Sequence, residues 1–571
     1  MKRRKRQPRA PVDTSGGREP TGAEFETAVE LIRRSGLLKA LSSKLNSPTG
    51  RPRALSLEGL LVAAQLNALR RHHQAHLVEI ARTLNAMSDH QRSQLSISRW
   101  DPAEAYDRVH YLFVKLIRVL EEGFEAEING RRERVNSLFF ANSLVRAAVP
   151  EDAWCSSSLA VDGTDVETWA ALHGDPLTIE PDMEDQRADQ PPDGDRRRQG
   201  RRRSKPHRAK VFGTGLDGRK IYTRDPDARA GHRTAMNSQQ AGPYVGYELH
   251  LAVQTKDVVW SDGIERVTLG DDVPNVVTNL SLAPAGSHRT NSIVPEVLAA
   301  KDRGQSISDV VWDPGYSLCQ AETGYYPLHR AGIHVTFQPV AHQRGERPFA
   351  GDARLVDGQL FSQFVPEDLL DLPMPPLGST VGRMLAYERA FNRRARYRYS
   401  RHAAPEPDGT TRWRCPFCVG FLRSRAFPRT MRRSKAIPLV EVPPGATKCC
   451  SGSLSVTAAG LPLWQRLSFG TTAWRISMDR RRAVESVNSA LKGGFVHIGR
   501  KFFRVFGLAK ITVLLAFTVA AFNLQRVRSF LAKQAASVGT KPQRKRRVGT
   551  WSDLLDRPSG PAPTGSARPP G

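Results

Sequence analysis

The sequence predicts an α/β fold with two additions, an all-helical domain before it and a poorly periodic subdomain inserted within it. Three observations carry this. LAVDGTDVETWA from 159, GYELHLAVQT from 246 and the VVW at 310–312 have the short apolar or alternating pattern of strands. Residues 292–301 lie between two such segments and read as a crossover helix. RRRAVESVNSALK at 480–492 places Ala483, Val487 and Leu491 four apart, giving an apolar line on one helix face that Gly493 and Gly494 stop.

Taken in order, residues 1–22 are basic and then rich in Pro, Gly and Thr, which predicts a disordered arm. From 23 to 150 the period is helical. Phe25, Ala28, Val29, Leu31 and Ile32 form a stripe, Ser56 is placed to cap SLEGLLVAAQLNALRR, and 106–123 carries a further apolar face. This domain is expected to bind DNA or to dimerise. The core, 151–340 and 475–532, opens at Leu159 with a strand that carries Asp162. Residues 174–210, including DRRRQGRRRSK, contain too little apolar side chain for a core and predict a disordered basic loop. NVVTNLSLAP from 275 and HVTFQPV from 334 are further strands, and Pro314 and Gly315 end the one that delivers Asp313. The insertion, 341–474, has no strong period and no evident core of its own. The run 511–524 is read as a buried helix too short to span a bilayer, and 533–571 as a disordered basic tail.

Composition narrows the function. Against 57 acidic side chains there are 85 Lys and Arg, a formal charge of +28, which points to a polyanionic partner and first to nucleic acid. The length and the 39% hydrophobic content suit an enzyme core better than a purely structural basic protein. MKRRKRQPRAP is followed by no apolar run, so no secretory leader is read there. Six cysteines in a chain of this size fit a reducing compartment. Four of them, Cys415, Cys418, Cys449 and Cys450, form a CxxC and a CC that suit a structural zinc ion, while Cys155 and Cys319 are expected to be inert.

On the helix at 480–492, Arg481, Glu485, Asn488 and Lys492 form a polar stripe beside the apolar one. A carboxylate between two cations suits metal and phosphate together: Glu485 can ligate the metal, and Arg481 and Lys492 can hold phosphate oxygens of DNA. Asp162 and Asp313 are the companion carboxylates. Asp165 follows three residues later and, by strand alternation, on the opposite face, so Asp162 is preferred. Asp225 and Asp227 are read as turn residues, Trp312 and Tyr316 as core, and His250 and His288 as polar residues without a ligand pattern.

VDGTDVETW, DVVWDPGYS and RRRAVESVNSALK together resemble, in order and context, the three catalytic segments of the DDE transposases of bacterial insertion sequences. The third also resembles the signature of one large branch, Tyr, two residues, Arg, three residues, Glu, six residues, Lys. Arg481, Glu485 and Lys492 fit it, whereas Met478 stands at the Tyr position, which fits a sister branch as well. The resemblance covers about 159–530 and includes the DPDAR segment at 225–229. It implies a ribonuclease-H-like mixed sheet with flanking helices, an insertion domain before the glutamate helix, and catalysis by Asp162, Asp313 and Glu485 through two Mg²⁺ ions, with Mn²⁺ able to substitute. Such ions sit about 3.5–4 Å apart and serve the attacking and the leaving oxygen. It further implies double-stranded DNA as partner, at element ends and target, a homodimer on that DNA, no membrane, and a cytoplasmic, nucleoid-associated location. The alternatives are an inactive descendant that only binds DNA and a metal-dependent nuclease of the same fold.

Overall fold

The computed structural model describes residues 12–537 apart from 47–52, 71, 99, 174–209, 215–218, 234–240, 261–266, 350, 377, 404, 407, 429–435, 458–459 and 462. The basic loop expected at 174–210, nearly all of the expected tail and the first half of the expected arm therefore lie outside the described residues. The chain is mixed α/β and divides into two compact units. The first comprises Met1–Thr255, Asp272–Ile307 and Arg481–Phe530, and the second Lys256–Asp271, Ser308–Arg480 and Leu531–Gly571.

The first unit begins with helices whose ends the sequence specifies. In α1 (Gly22–Arg34), Thr21 and Glu24 form a reciprocal capping box, and Phe25, Ala28, Leu31 and Ile32 are the buried face. In α2 (Leu57–Leu69), the Ser56 hydroxyl accepts the Gly59 N–H at 2.9 Å, and the helix is buried nearly all round, as its unbroken apolar content requires. α3 (Ala105–Glu122) stops at Gly123, whose φ of 64° only glycine adopts freely.

The next segment corrects the expectation of an all-helical domain. Strands β1 (Phe124–Ile128) and β2 (Arg131–Val135) form an antiparallel hairpin. Asn129 and Gly130 at its tip have φ of 49° and 77°, the paired positive values of a tight hairpin turn. The Asn-Gly signal was present in the sequence and Phe124, Ala126 and Ile128 alternate with two glutamates in β1, but β2 carries four charged residues before Val135, so only one side of the hairpin shows the period. Helix α4 (Ser137–Ala147) follows.

The sheet of this unit is built on one long strand. β3 (Ser158–Glu167), β4 (Arg229–Arg233), β5 (Gly242–Thr255) and β6 (Val277–Pro284) are arranged so that β5 pairs antiparallel with each of the others. β6 has an open edge, and two asparagine amides occupy it in place of another strand. Asn142 of α4 exchanges hydrogen bonds with the Leu280 N–H and C=O at 2.8 and 3.1 Å, and Asn523 does the same with Val277 at 2.8 and 2.7 Å. Buried edge groups are thereby paired without a further strand. α5 (Arg289–Asp302) and α6 (Arg482–Ser489) pack on the sheet, α6 on β3 and β5.

Asn523 lies on α7 (Leu508–Ser537), which is 30 residues long, well beyond the run 511–524 that announced it. By length and composition it could cross a membrane, which corrects the expectation that it is too short. However, 78% of its most apolar stretch is buried inside the protein, as expected of a core helix. Its N-terminus is met by the DPDAR segment. Gly507 and Leu508 donate their N–H groups to Asp225 Oδ1 and Asp227 Oδ2 at 3.2 and 2.8 Å. The fully buried Asp225 also accepts from the Tyr247 hydroxyl of β5 and from Thr168 just past β3, both at 2.6 Å. A turn reading of Asp225 and Asp227 thus misses their main contacts, made with a helix nearly 300 residues away in the chain.

In the second unit, strands Asp309–Trp312 and His334–Phe337 pair in parallel, with the short helix Tyr325–Arg330 between them in the chain. Trp312 and Tyr316 stack with centroids 5.7 Å apart and are fully buried, the core role expected of them. The insertion does have a core, contrary to expectation. Two three-stranded sheets and the helix Val381–Ala395 surround Val356, Leu360, Phe361, Trp413, Cys415, Phe417, Leu422 and Cys449. Its strands are two to four residues long, too short for periodicity to register.

The Asp225 contacts give the first prediction. Asp225→Ala leaves three buried donors without an acceptor and should destabilise the protein by about 2–4 kcal/mol, against about 1 kcal/mol for Asp227→Ala. Urea unfolding of the two variants measures both, and equal midpoints for Asp225→Ala and wild type would refute the capping role.

Candidate functional site

β3 emerges from the core along its length. Residues 158–161 are buried and 162–165 half-buried, so Asp162 is the first side chain of the strand beyond the dry interior. Its Oδ1 accepts the Gly163 N–H at 2.8 Å and its Oδ2 accepts Asn488 Nδ2 of α6 at 3.2 Å, across 326 residues of sequence. Glu485 lies one turn before Asn488 on the same helix. Its Oε1 accepts from Arg481 at 2.6 Å, and the side chain is 46% exposed. The first unit therefore carries Asp162 and the Glu485 helix on one strand–helix pair. Asn488, recognised in the polar stripe but given no role, makes the contact that joins them, and among the described residues its own Oδ1 is buried without a hydrogen-bond partner.

After Ser489 the helix widens into a π turn, Ala490–Gly494, which carries Lys492. The Lys492 ammonium pairs with Asp165, and Arg233 of β4 reaches the same carboxylate at 2.7 Å while also pairing with Glu167. Burial on its own would raise the Asp165 carboxyl, but the bonds and charges of Lys492 and Arg233 outweigh it and hold the group below the usual carboxylate range. Asp165 is thus occupied as a counter-ion to two cations. The cations expected to hold phosphate, Arg481 and Lys492, are each engaged by a carboxylate.

Arg233 and Glu248 belong to this neighbourhood and were not singled out in the sequence. Glu248 stands opposite Asp165 in the β3–β5 register and pairs with Arg289 at 2.9 Å. A Cβ at Gly163 would lie 2.9 Å from Glu248 Oε1 and 3.2 Å from His250 Nδ1, so glycine is what allows these side chains to approach the strand. His250 is buried, which pushes its imidazole down to about 3 and keeps it neutral. His288 sits at the N-cap of α5 without a side-chain cap bond.

Asp313 lies in the second unit. It follows the strand Asp309–Trp312 and caps the 3-10 turn Pro314–Leu318, its Oδ1 accepting the Gly315 N–H at 2.8 Å. Asp-Pro-Gly suits this turn: Pro314 begins it, where no N–H is needed. In the same unit Met478 packs beside Trp474, and the buried Arg480 pairs with Asp309 at 2.5 Å.

Among the described residues, the one group of three or more His, Cys, Asp or Glu side chains gathered closely enough to share a metal ion is Cys415, Cys418, Cys449 and Cys450, whose sulfurs all lie within 4.8 Å of one another. This cluster could hold a metal ion such as zinc. Without metal, burial pushes the Cys415, Cys418 and Cys449 thiols up to about 12. Cys155 is exposed and Cys319 half-buried.

The Asp165 pair predicts a pH signature. A carboxyl lowered by folding stabilises the native state above its unfolded pKa, and that contribution is lost as pH falls through the folded value. Asp165→Asn should cost about 1–2 kcal/mol near neutral pH. The difference from wild type should shrink below about pH 4. Denaturant melts from pH 7 to pH 3 test this, and a difference that grows on acidification would contradict it.

Comparison of the chain with family models, curated proteins and solved structures returns no match, so the functional reading rests on these residues.

Proposed function

We propose that the protein is a DNA transposase of the DDE class with a ribonuclease-H-like core, cutting DNA at the ends of its own element and joining the freed ends to target DNA. The reading rests on the resemblance of the segments around Asp162, Asp313 and Glu485, which assigns these three as catalytic. The observation that favours it most is the Asn488–Asp162 hydrogen bond, since it links the first and third of those segments within one unit. The excess of 28 positive charges over the whole chain agrees with a DNA partner.

The cofactor this chemistry calls for is Mg²⁺, which supplies charge stabilisation at the attacking and leaving oxygens of a phosphodiester. The donors suit it. Asp162 and the half-exposed Glu485, with their hard carboxylate oxygens, would hold the ion, and the buried Asn488 Oδ1 beside Asp162 could accept from a water there. Asn488 orients the Asp162 carboxylate, and Arg481 sets the rotamer of Glu485. When DNA binds, the Arg481 guanidinium could exchange the Glu485 carboxylate for a phosphate oxygen. In this reading the protein acts as a homodimer on double-stranded DNA in the nucleoid.

Charge and catalysis should separate under mutation. In Glu485→Gln the size and hydrogen bonding remain but the metal-holding charge is lost, so binding to element ends should persist while strand cleavage falls by about 10³-fold or more. Gel-shift and cleavage assays on one DNA in Mg²⁺ measure both. Wild-type protein that binds element ends yet never cuts in Mg²⁺ or Mn²⁺ would overturn the enzyme reading in favour of a DNA-binding descendant, and normal cutting by Glu485→Gln would remove Glu485 from the site.

A further inference from the structure

The insertion of the second unit is closed by sulfur. The strand Thr411–Arg414 delivers Cys415, the short helix Pro416–Val419 turns the chain through Cys418, and Gly420, with φ of 82°, ends the turn. The Cys415 thiol faces the Cys449 carbonyl at 3.8 Å, so the two halves of the cluster already meet. Cys449 and Cys450 come from a segment without regular structure, secured just beyond by the Ser451 N–H donating to Asp352 at 2.6 Å.

The sulfur spacings decide what the cluster suits. Cys418 lies 3.6 Å from Cys449 and 3.5 Å from Cys450, and Cys449 lies 3.9 Å from Cys450. Four sulfurs about 2.3 Å from a central ion at the corners of a tetrahedron are separated by about 3.8 Å. The adjacent pair, awkward in sequence, thus spans a tetrahedral edge. A cluster of several iron atoms would hold its thiolates farther apart than one ion does, and four soft sulfur donors exclude Mg²⁺ or Ca²⁺.

We infer that Cys415, Cys418, Cys449 and Cys450 bind one Zn²⁺ as a tetrathiolate, and that this ion cross-links the core of the insertion. Binding replaces the thiol protons, which leave to solvent, so no oxidant or reductant is involved. The structural role follows from position. Cys415 and Cys449 belong to the same buried cluster as Trp413, Phe417, Phe361 and Leu360, so the ion joins the segment 411–418 to 449–450 at the heart of that core. The site has all four ligands from protein, leaving no open position for a substrate. It stands apart from the carboxylate chemistry and holds whether or not the transposase reading does.

The test uses the full chain, purified without chelator under reducing conditions. Elemental analysis should find about one zinc per chain, and cobalt put in its place should give the intense visible bands of tetrahedral thiolate coordination. Cys418→Ser and Cys450→Ser, at the two less buried ligands, should retain zinc at least tenfold more weakly against a competing chelator, and limited proteolysis should then cut within 353–461 while the wild type resists. Protein that holds no zinc as purified and takes none up from an equimolar zinc solution would overturn the site. Iron with inorganic sulfide in its place would overturn the metal, and an unchanged proteolysis pattern after complete zinc removal would overturn the structural role.

Discussion

A helix of 30 residues whose N-terminal half is buried must satisfy its first N–H groups without water, and this requirement organises the first unit. Asp225 and Asp227 meet it at the start of α7. Because Asp225 also takes hydroxyl hydrogens from Tyr247 on β5 and Thr168 at the end of β3, the cap ties the helix to the two strands that border the candidate site. A carboxylate can do this where an amide could not, since all its bonds are as acceptor. Farther along the same helix, Asn523 completes the open edge of β6. The helix is therefore held at its N-terminus and near its middle by polar contacts, with apolar packing between them.

Around Asp162 a different logic holds. The cations of the glutamate helix are not poised in solvent: Arg481 binds Glu485 and Lys492 binds Asp165. Such pairs keep flexible basic side chains in defined positions, and under the proposed reading they would be exchanged for phosphate. The lowered Asp165 carboxyl competes strongly for Lys492, whereas the half-exposed Arg481–Glu485 pair is the easier to open. Under the proposed reading, positive charge for long-range attraction to DNA would come from elsewhere in the chain, and unit two offers Arg383, Arg389 and Arg396 on or beside the exposed face of the helix Val381–Ala395.

The sequence was most legible where one local cause dominates. Ser56 caps its helix, Asp313 ends its strand against Pro314 and Gly315, and the β5 and β6 strands appear where alternation or an apolar run places them. It was least legible where the cause is a distant partner. Nothing near Asp225 indicates α7, and nothing near Asp165 indicates that Lys492 and Arg233 will share it. The helix at 480–492 also proved to be a short α-helix running into a π turn, because backbone hydrogen-bond register leaves no mark on side-chain periodicity. Short strands hid the core of the insertion, and the charged strand Arg131–Val135 left only one side of the hairpin at Asn129-Gly130 patterned.

The central claim is that Asp162 and Glu485 ligate metal at one place. Fe²⁺ in place of Mg²⁺ there, supplied with hydrogen peroxide and ascorbate, would generate hydroxyl radicals that cut only the backbone within reach of the ion. The account predicts scission in β3 near Asp162 and in α6 near Glu485, both suppressed by excess Mg²⁺. Cuts confined to one of the two segments, or cuts at both that excess Mg²⁺ does not suppress, would contradict it.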